Sequence, residues 1–276
     1  MRSRRVRRVG PPQWAGLPRK AGTDSSRPDE LRLIPLRTLP EVGHGADLAS
    51  LLARAAARES VKFERGDVLV LAQKIVSKAE GRTVRLASVV PSALAREWAV
   101  RLGQDPRLTE VVLRESRRVV RMSERVLIVE TRHGFVCANA GVDQSNVPGA
   151  NLTCLPQDSD ASARRIAEKL RRKTGISIPV VISDTFGRPW RLGLVNVAIG
   201  SHGLRVLEDL RGTRDAHGRR LHATILAVAD ELAAAAGLLM QKSGAVPAVI
   251  VRGFRYRPAR DSAQKLLRPP QEDLFR

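Results

Sequence analysis

The stretch Asp67-Val-Leu-Val-Leu-Ala-Gln-Lys-Ile-Val-Ser-Lys-Ala-Glu-Gly81 carries the first decision about the fold. Its apolar part, up to Ala72, has the length of a strand and no alternation of apolar and polar residues, the pattern of a strand buried inside a sheet. That strand delivers Gln73, Lys74, Ser77 and Lys78 at its C-terminal end. Charged side chains directly behind a buried strand stand at an edge of the sheet. A second run of this kind, Ile176 to Ser183, ends in Asp184-Thr185-Phe186-Gly187-Arg188-Pro189-Trp190-Arg191, again placing a carboxylate and a hydroxyl behind a strand.

Between these runs the period changes. Val126 to Thr131 and Phe135 to Asn139, joined by Arg132-His133-Gly134, alternate like a β-hairpin. The hairpin runs into Ala140-Gly141-Val142-Asp143-Gln144-Ser145-Asn146, whose polar density suits either ligand contact or an ordinary Asx-type turn. The remaining elements are predicted by pattern. Strands are expected at Leu31 to Leu36, Val195 to Gly200 and Val246 to Val251. Helices are expected from Asp47 to about Arg58, after Pro91-Ser92, from about Arg107 to Arg121, from Asp158 or Ser159 to Gly175, and from Ala223 to Met240. Helices and strands mix without a fixed repeat period, which predicts an α+β chain.

The 276 residues include 48 Lys+Arg against 28 Asp+Glu, a formal net charge of +20. The length suits one large domain or two small ones, with a core that needs no disulfide or structural metal. Only eight of the basic residues are lysines, and the ends are densest in charge. Residues 1–30, with eight basic and three acidic side chains, read as a basic disordered tail without the apolar core of an export signal. Residues 255–276 read as a basic C-terminal extension, leaving 31–254 as the domain. The longest apolar stretch, Leu232 to Met240, is far shorter than the ~20 residues of a membrane span, so no membrane partner is expected. Cys137 and Cys154 lack metal-ligand or CxxC spacing and read as small buried side chains in a reducing, cytoplasmic setting.

Such a charge invites nucleic acid, because Lys and Arg neutralise phosphates. Only nine aromatic residues are present and they are scattered, so the stacking platforms of single-strand binders are missing, and no zinc-finger or basic-zipper spacing occurs. The polar loops offer another reading, a small-anion site, with a solvated surface charge as the alternative for each residue taken singly. Asp143, Asp184 and the Thr185 hydroxyl are oxygen donors suited to Mg²⁺ or Mn²⁺, and Lys74 or Lys78 can balance the charge of a polyphosphate. No GxxxxGK[ST] loop and no GxGxxG after a strand occur, which excludes a P-loop and a dinucleotide fingerprint. The five histidines do not cluster, and none is assigned a metal.

Five segments occur in an order that is itself informative: Ile34 to Pro40, Gly66 to Arg82, Asn139 to Asn146, Ser183 to Arg188 and Pro247 to Gly253. Together they closely resemble the coenzyme F420-0:L-glutamate ligases, the gamma-glutamyl ligases of deazaflavin cofactor biosynthesis, from about residue 31 to 254. The resemblance implies a GTP-dependent amide ligase that adds L-glutamate to the terminal carboxylate of F420-0 and releases GDP and phosphate. It implies an unusual α+β fold and an intertwined homodimer. Carried over by position, Leu39, Pro40, Glu41, Val42, Gln73, Lys74, Lys78 and Asn146 would line the nucleotide site. Asp143 and Asp184 would hold one divalent cation and Thr185 a second, with Lys78, Asp143 and Asp184 in the catalytic roles. Lys242 stands at or near the place of an acidic ligand in some relatives and would face phosphate instead. Arg188 and Arg191 can be read as carboxylate or phosphate clamps or as surface arginines. A nucleotide hydrolase, a same-family ligase with another acceptor, and a nucleic-acid binder are the competing functions.

Overall fold

The computed structural model describes residues 30–144, 151–241, 244 and 246–273. In chain order these form β1 (Arg32–Pro35), α1 (Leu48–Arg58), β2 (Val68–Ala72), α2 (Gln73–Ala79) and β3 (Thr83–Arg85). There follow α3 (Ala93–Leu102), α4 (Pro106–Glu115), β4 (Ser116–Met122), β5 (Leu127–Thr131), β6 (Val136–Ala138) and β7 (Asn151–Thr153). The chain continues with α5 (Ser159–Thr174), β8 (Val180–Arg188), β9 (Arg191–His202), β10 (Glu208–Asp209), β11 (Ile225–Leu226), α6 (Val228–Met240) and β12 (Ala248–Arg252). The fold is mixed α+β.

A five-stranded sheet in the order β1-β12-β2-β8-β9 forms the centre. Every neighbouring pair is antiparallel except β2 and β8, which run parallel with Ala72 opposite Ser183. The unbroken apolar run of β2 has a direct cause. Leu69 and Leu71 pack on one face with Ile182, Ile250, Leu52 of α1 and Leu170 of α5, while Val68 and Val70 pack on the other with Val249 and with Leu232 and Ala236 of α6. Both faces are covered by helices, so no position of the strand is left for a polar side chain. Each fully buried side chain of this size adds roughly 1.5–3 kcal/mol of transfer free energy.

Between α2 and α5 the chain builds a separate layer. Here β4, β5 and β6 form one small sheet, β3 and β7 another, and a third apolar cluster gathers Leu102, Val112, Leu127, Val129 and Leu152. Within this insertion Asp143 and Thr153 exchange backbone hydrogen bonds of 3.0 and 2.9 Å, and Asp143 lies 2.7 Å from Lys74, just behind β2.

Several expectations shift. The helix expected to reach Arg121 stops at Glu115, and Ser116–Met122 is strand, with Val119 paired to Val129. Glu130 lies 2.8 Å from Arg118 and 3.5 Å from Arg117, so these two arginines, expected on a helix, instead serve a cross-strand ion pair. The segment behind β2 is helical at once, and the second buried strand starts after Pro179 and runs through the Asp184-Thr185 motif to Arg188. The last helix begins at Val228, since Ile225–Leu226 pairs with Glu208–Asp209. Residues 255–273 are packed on the domain: Ala263 is fully buried, and Asp160 accepts hydrogen bonds from the Ser262 hydroxyl at 2.5 Å and the Ala263 amide at 2.9 Å. Residues 1–29 lie outside the described part of the chain. Among the described residues, no helix is long and apolar enough to cross a membrane.

Candidate active site

The parallel pair decides where the polar residues meet. With Ala72 and Ser183 side by side, Gln73 and Lys74 leave one strand next to Asp184 and Thr185 on the other. Helix α2 then turns Lys74 and Lys78, four residues apart, onto neighbouring positions of one face. A β-bulge between Ile182 and Ser183 in the β8–β9 ladder precedes the motif. Bulges add twist and re-aim side chains, and Ser183, Asp184 and Thr185 all line the same cavity.

Asp143 arrives from the inserted layer through a tight turn. Asn139, Ala140 and Gly141 have φ of 51°, 54° and 68°, three successive residues in the left-handed region. Only Gly141 adopts it without a steric cost, and Ala140 stores on the order of 1 kcal/mol of strain. Asn139 tolerates it, and its side-chain oxygen accepts from the Leu127 amide at 3.2 Å. The turn sets Asp143 Oδ2 2.7 Å from Lys74 Nζ. A second ion pair joins Lys78 Nζ to Glu41 Oε1 at 2.5 Å, with Lys78 9% exposed against 70% for Glu41. The lysine is the anchored partner; the glutamate lies on the solvent side.

These groups surround a cavity of about 790 Å³, within the range of small-molecule sites. Leu39, Pro40, Glu41 and Val42 line it, as do Gln73, Lys74 and Lys78 from α2, and Asp143, Asp184 and Thr185. Ten of the residues marked in the sequence are therefore brought together. Arg188 and Arg191 are not among the lining residues; they flank the turn between β8 and β9, where Arg188 donates to the Leu192 carbonyl at 3.1 Å and Arg191 is exposed. Asn146 and Lys242 lie outside the described residues.

The sequence reading missed Cys137, Ser183, Asn196, Gly237 and Met240, which also line the cavity. Asn196 had a visible signal, a lone amide between Val195 and Val197 in a strand. The Cys137 thiol is pushed up to about 12 by burial and, secondarily, by the charge of Asp184, so it is a neutral wall atom and no nucleophile. Gln73 is buried, its Oε1 accepts from the Ser77 hydroxyl at 2.7 Å, and its Nε2 has no hydrogen-bond partner among the described residues.

The donor set is hard. Glu41, Asp143 and Asp184 outnumber Lys74 and Lys78 by one formal charge, and Asp143 already holds an ammonium cation at contact distance. Two carboxylates and a hydroxyl beside lysines suit an oxygen-loving divalent cation that shares its shell with water or phosphate. Among the described residues no cluster of three or more His, Cys, Asp or Glu residues occurs, so an all-protein cage is not present there.

A family model described as F420-0:Gamma-glutamyl ligase matches residues 37–253. The chain belongs to the F420-0:gamma-glutamyl ligase family. Curated gamma-glutamyl ligase relatives agree over most of their length. The chain is 46% identical over 249 residues to the coenzyme F420:L-glutamate ligase of Methanothermobacter thermautotrophicus, covering 89% of this chain and 99% of that protein. It is 46% identical over 251 residues to that of Methanopyrus kandleri, covering 89% and 98%, and 40% identical over 247 residues to that of Archaeoglobus fulgidus, covering 89% and 96%. The cavity of this gamma-glutamyl ligase chain lies inside the matched segment.

Proposed function

We propose that the protein is a GTP-dependent amide ligase that joins L-glutamate to the terminal carboxylate of coenzyme F420-0, releasing GDP and phosphate. The observation that carries this reading is the convergence of Lys74, Lys78, Asp143, Asp184 and Thr185 on one cavity in a chain of this family.

A carboxylate is a poor electrophile, so it needs activation. Attack of its oxygen on the γ-phosphorus breaks the bond to the bridging oxygen and yields GDP and an acyl phosphate. The glutamate amine then attacks the acyl carbon, loses a proton and expels phosphate. Both steps move negative charge between anions, so the demand on the protein is for positioning and charge stabilisation. Lys78, anchored at the end of α2, is placed to meet the phosphate oxygens, and Lys74 to meet them or to hold Asp143. Leu39, Pro40 and Val42 offer an apolar wall to the nucleotide, Glu41 stands between them paired to Lys78, and Gln73 offers an amide donor. Asp143, Asp184 and Thr185 are the residues to hold Mn²⁺ or Mg²⁺, which supplies positive charge to phosphate oxygens when bound. The net charge of +20 steers the three anionic substrates inward.

The test is incubation with GTP, Mn²⁺, L-glutamate and F420-0. The expected result is a mass gain of one glutamyl residue with stoichiometric GDP. GTP hydrolysis without a glutamylated product would instead establish a nucleotide hydrolase, and ligation of glutamate to a different carboxylate would move the acceptor.

The assembly we propose is a homodimer. At the β8–β9 turn Trp190, Leu192 and Leu194 are 87%, 98% and 58% exposed, three large apolar side chains on one hairpin. A second copy is the occupant that the family resemblance supplies for such a patch. Light scattering of the full chain is expected to give twice the monomer mass, and Trp190→Glu with Leu192→Glu to give a monomer. A wild-type monomer at micromolar concentration would dismiss the dimer. The two free cysteines fit a reducing cytoplasmic setting.

A further inference from the structure

We propose that Asn196 is a substrate contact of the ligation reaction, its carboxamide donating a hydrogen bond to the acyl oxygen of the acceptor. The inference rests on the ligase reading given above.

Asn196 lies on β9 directly opposite Thr185 and lines the cavity. Its Nδ2 faces the Ser183 hydroxyl at 3.4 Å and the Met240 sulfur at 3.8 Å. The first exceeds the ordinary 2.7–3.2 Å of an N–H···O bond, and a thioether sulfur is only a weak acceptor, so the two amide protons at the cavity wall are loosely held. A half-buried carboxamide kept in that state loses hydration without a full return, a cost that a ligand oxygen can remove.

The opposing helix is shaped to the same group. A Cβ at Gly237 would stand 2.8 Å from Asn196 Cγ and 2.8 Å from Oδ1. Gly237 follows four alanines in the middle of α6, where glycine is about 1 kcal/mol less favourable than alanine. Helix propensity alone would place a fifth alanine there. The missing methyl leaves the space that the carboxamide fills, with Oδ1 toward the helix and Nδ2 toward Ser183 and Met240, which line the cavity. Asn196 thus sits on elements other than Leu39 to Val42 and α2, which line the cavity at the residues assigned to the nucleotide. A neutral N–H beside Thr185 and Asp184 can bind an acyl oxygen as charge develops on it, without adding a formal charge of its own.

The experiment compares wild type, Asn196→Ala, Asn196→Ser, Gly237→Ala and the double variant Gly237→Ala/Asn196→Ala, reading kcat, KM for each substrate and Tm. Asn196→Ala and Asn196→Ser are expected to lower kcat for glutamylation by about 10²-fold, the effect of losing one oxyanion donor, with KM for GTP within twofold of wild type. Gly237→Ala is expected to lose activity and Tm together despite its better helix propensity, and the double variant to recover Tm but not kcat. Wild-type turnover retained within threefold in either Asn196 variant overturns the inference alone. A wild-type protein that makes no glutamylated product overturns the ligase reading, and this contact with it.

Discussion

Asp184→Asn is expected to lower the rate of glutamylation by roughly 10²–10³-fold while leaving the fold intact. The amide is nearly isosteric with the carboxylate, so the β8–β9 ladder that places residue 184 opposite Val197 has no steric reason to change. What changes is charge. Asp143 is already engaged with Lys74 at 2.7 Å, so Asp184 supplies the second negative charge of the proposed cation site. Losing one preorganised electrostatic partner of a phosphoryl transfer costs roughly this factor. Coupled GDP release and product mass report the rate, and calorimetry reports Tm, which should not fall. A rate within tenfold of wild type at saturating Mn²⁺ would remove Asp184 from the machinery.

The largest effect on stability is expected at Arg252→Ala, about 3–5 kcal/mol. Asp67 is fully buried at the start of β2, and Arg252 at the end of β12 meets both its oxygens at 2.8 and 2.9 Å. The same guanidinium bonds Glu64 and the Lys62 carbonyl, and hydrogen bonding to Asp67 holds its pKa above the ordinary arginine value. Removing it leaves a carboxylate desolvated and without its cation, the situation in which breaking a buried pair costs most. For a chain of this size that corresponds to a Tm lower by roughly 6–20 °C. The pair ties the start of β2 to the end of β12, away from the C-terminal end of β2 where the cavity lies, so kcat of the folded fraction at 25 °C should stay near wild type. The double variant Arg252→Met/Asp67→Asn is expected to recover part of the loss, because it buries no charge. Equal losses in the single and double variants would mean that packing, and not the uncompensated charge, sets the cost.

Much of the central sheet was legible because its cause is local. The apolar runs of β2, β8 and β12 lack alternation since helices cover both faces of the sheet. The capped helix α5 was legible for a similar reason, as Asp158 accepts from the Ala161 amide at 2.8 Å and Gly175 ends the helix. Where the reading failed, a partner distant in sequence decided. Residues 116–122 have arginines and valines that suit either a helical face or a strand, and Glu130 on β5 selects the strand. Ile225 and Leu226 pair with Glu208 and Asp209 rather than extending α6.

The candidate site divides along the same line. The chemistry of its donors, oxygen atoms for a hard cation and lysines for phosphate, is a property of side-chain types and their spacing, and so the sequence by itself determined it, together with the strands that carry Lys74 and Asp184. Their meeting was decided only by tertiary structure. The parallel register of Ala72 with Ser183 brings residues 111 apart to one end of the sheet, the left-handed turn at Asn139 to Gly141 swings Asp143 onto Lys74, and Gly237 on α6 leaves room for Asn196. No local pattern encodes these approaches, because each is set by how two separately folded surfaces pack, and packing depends on both partners at once.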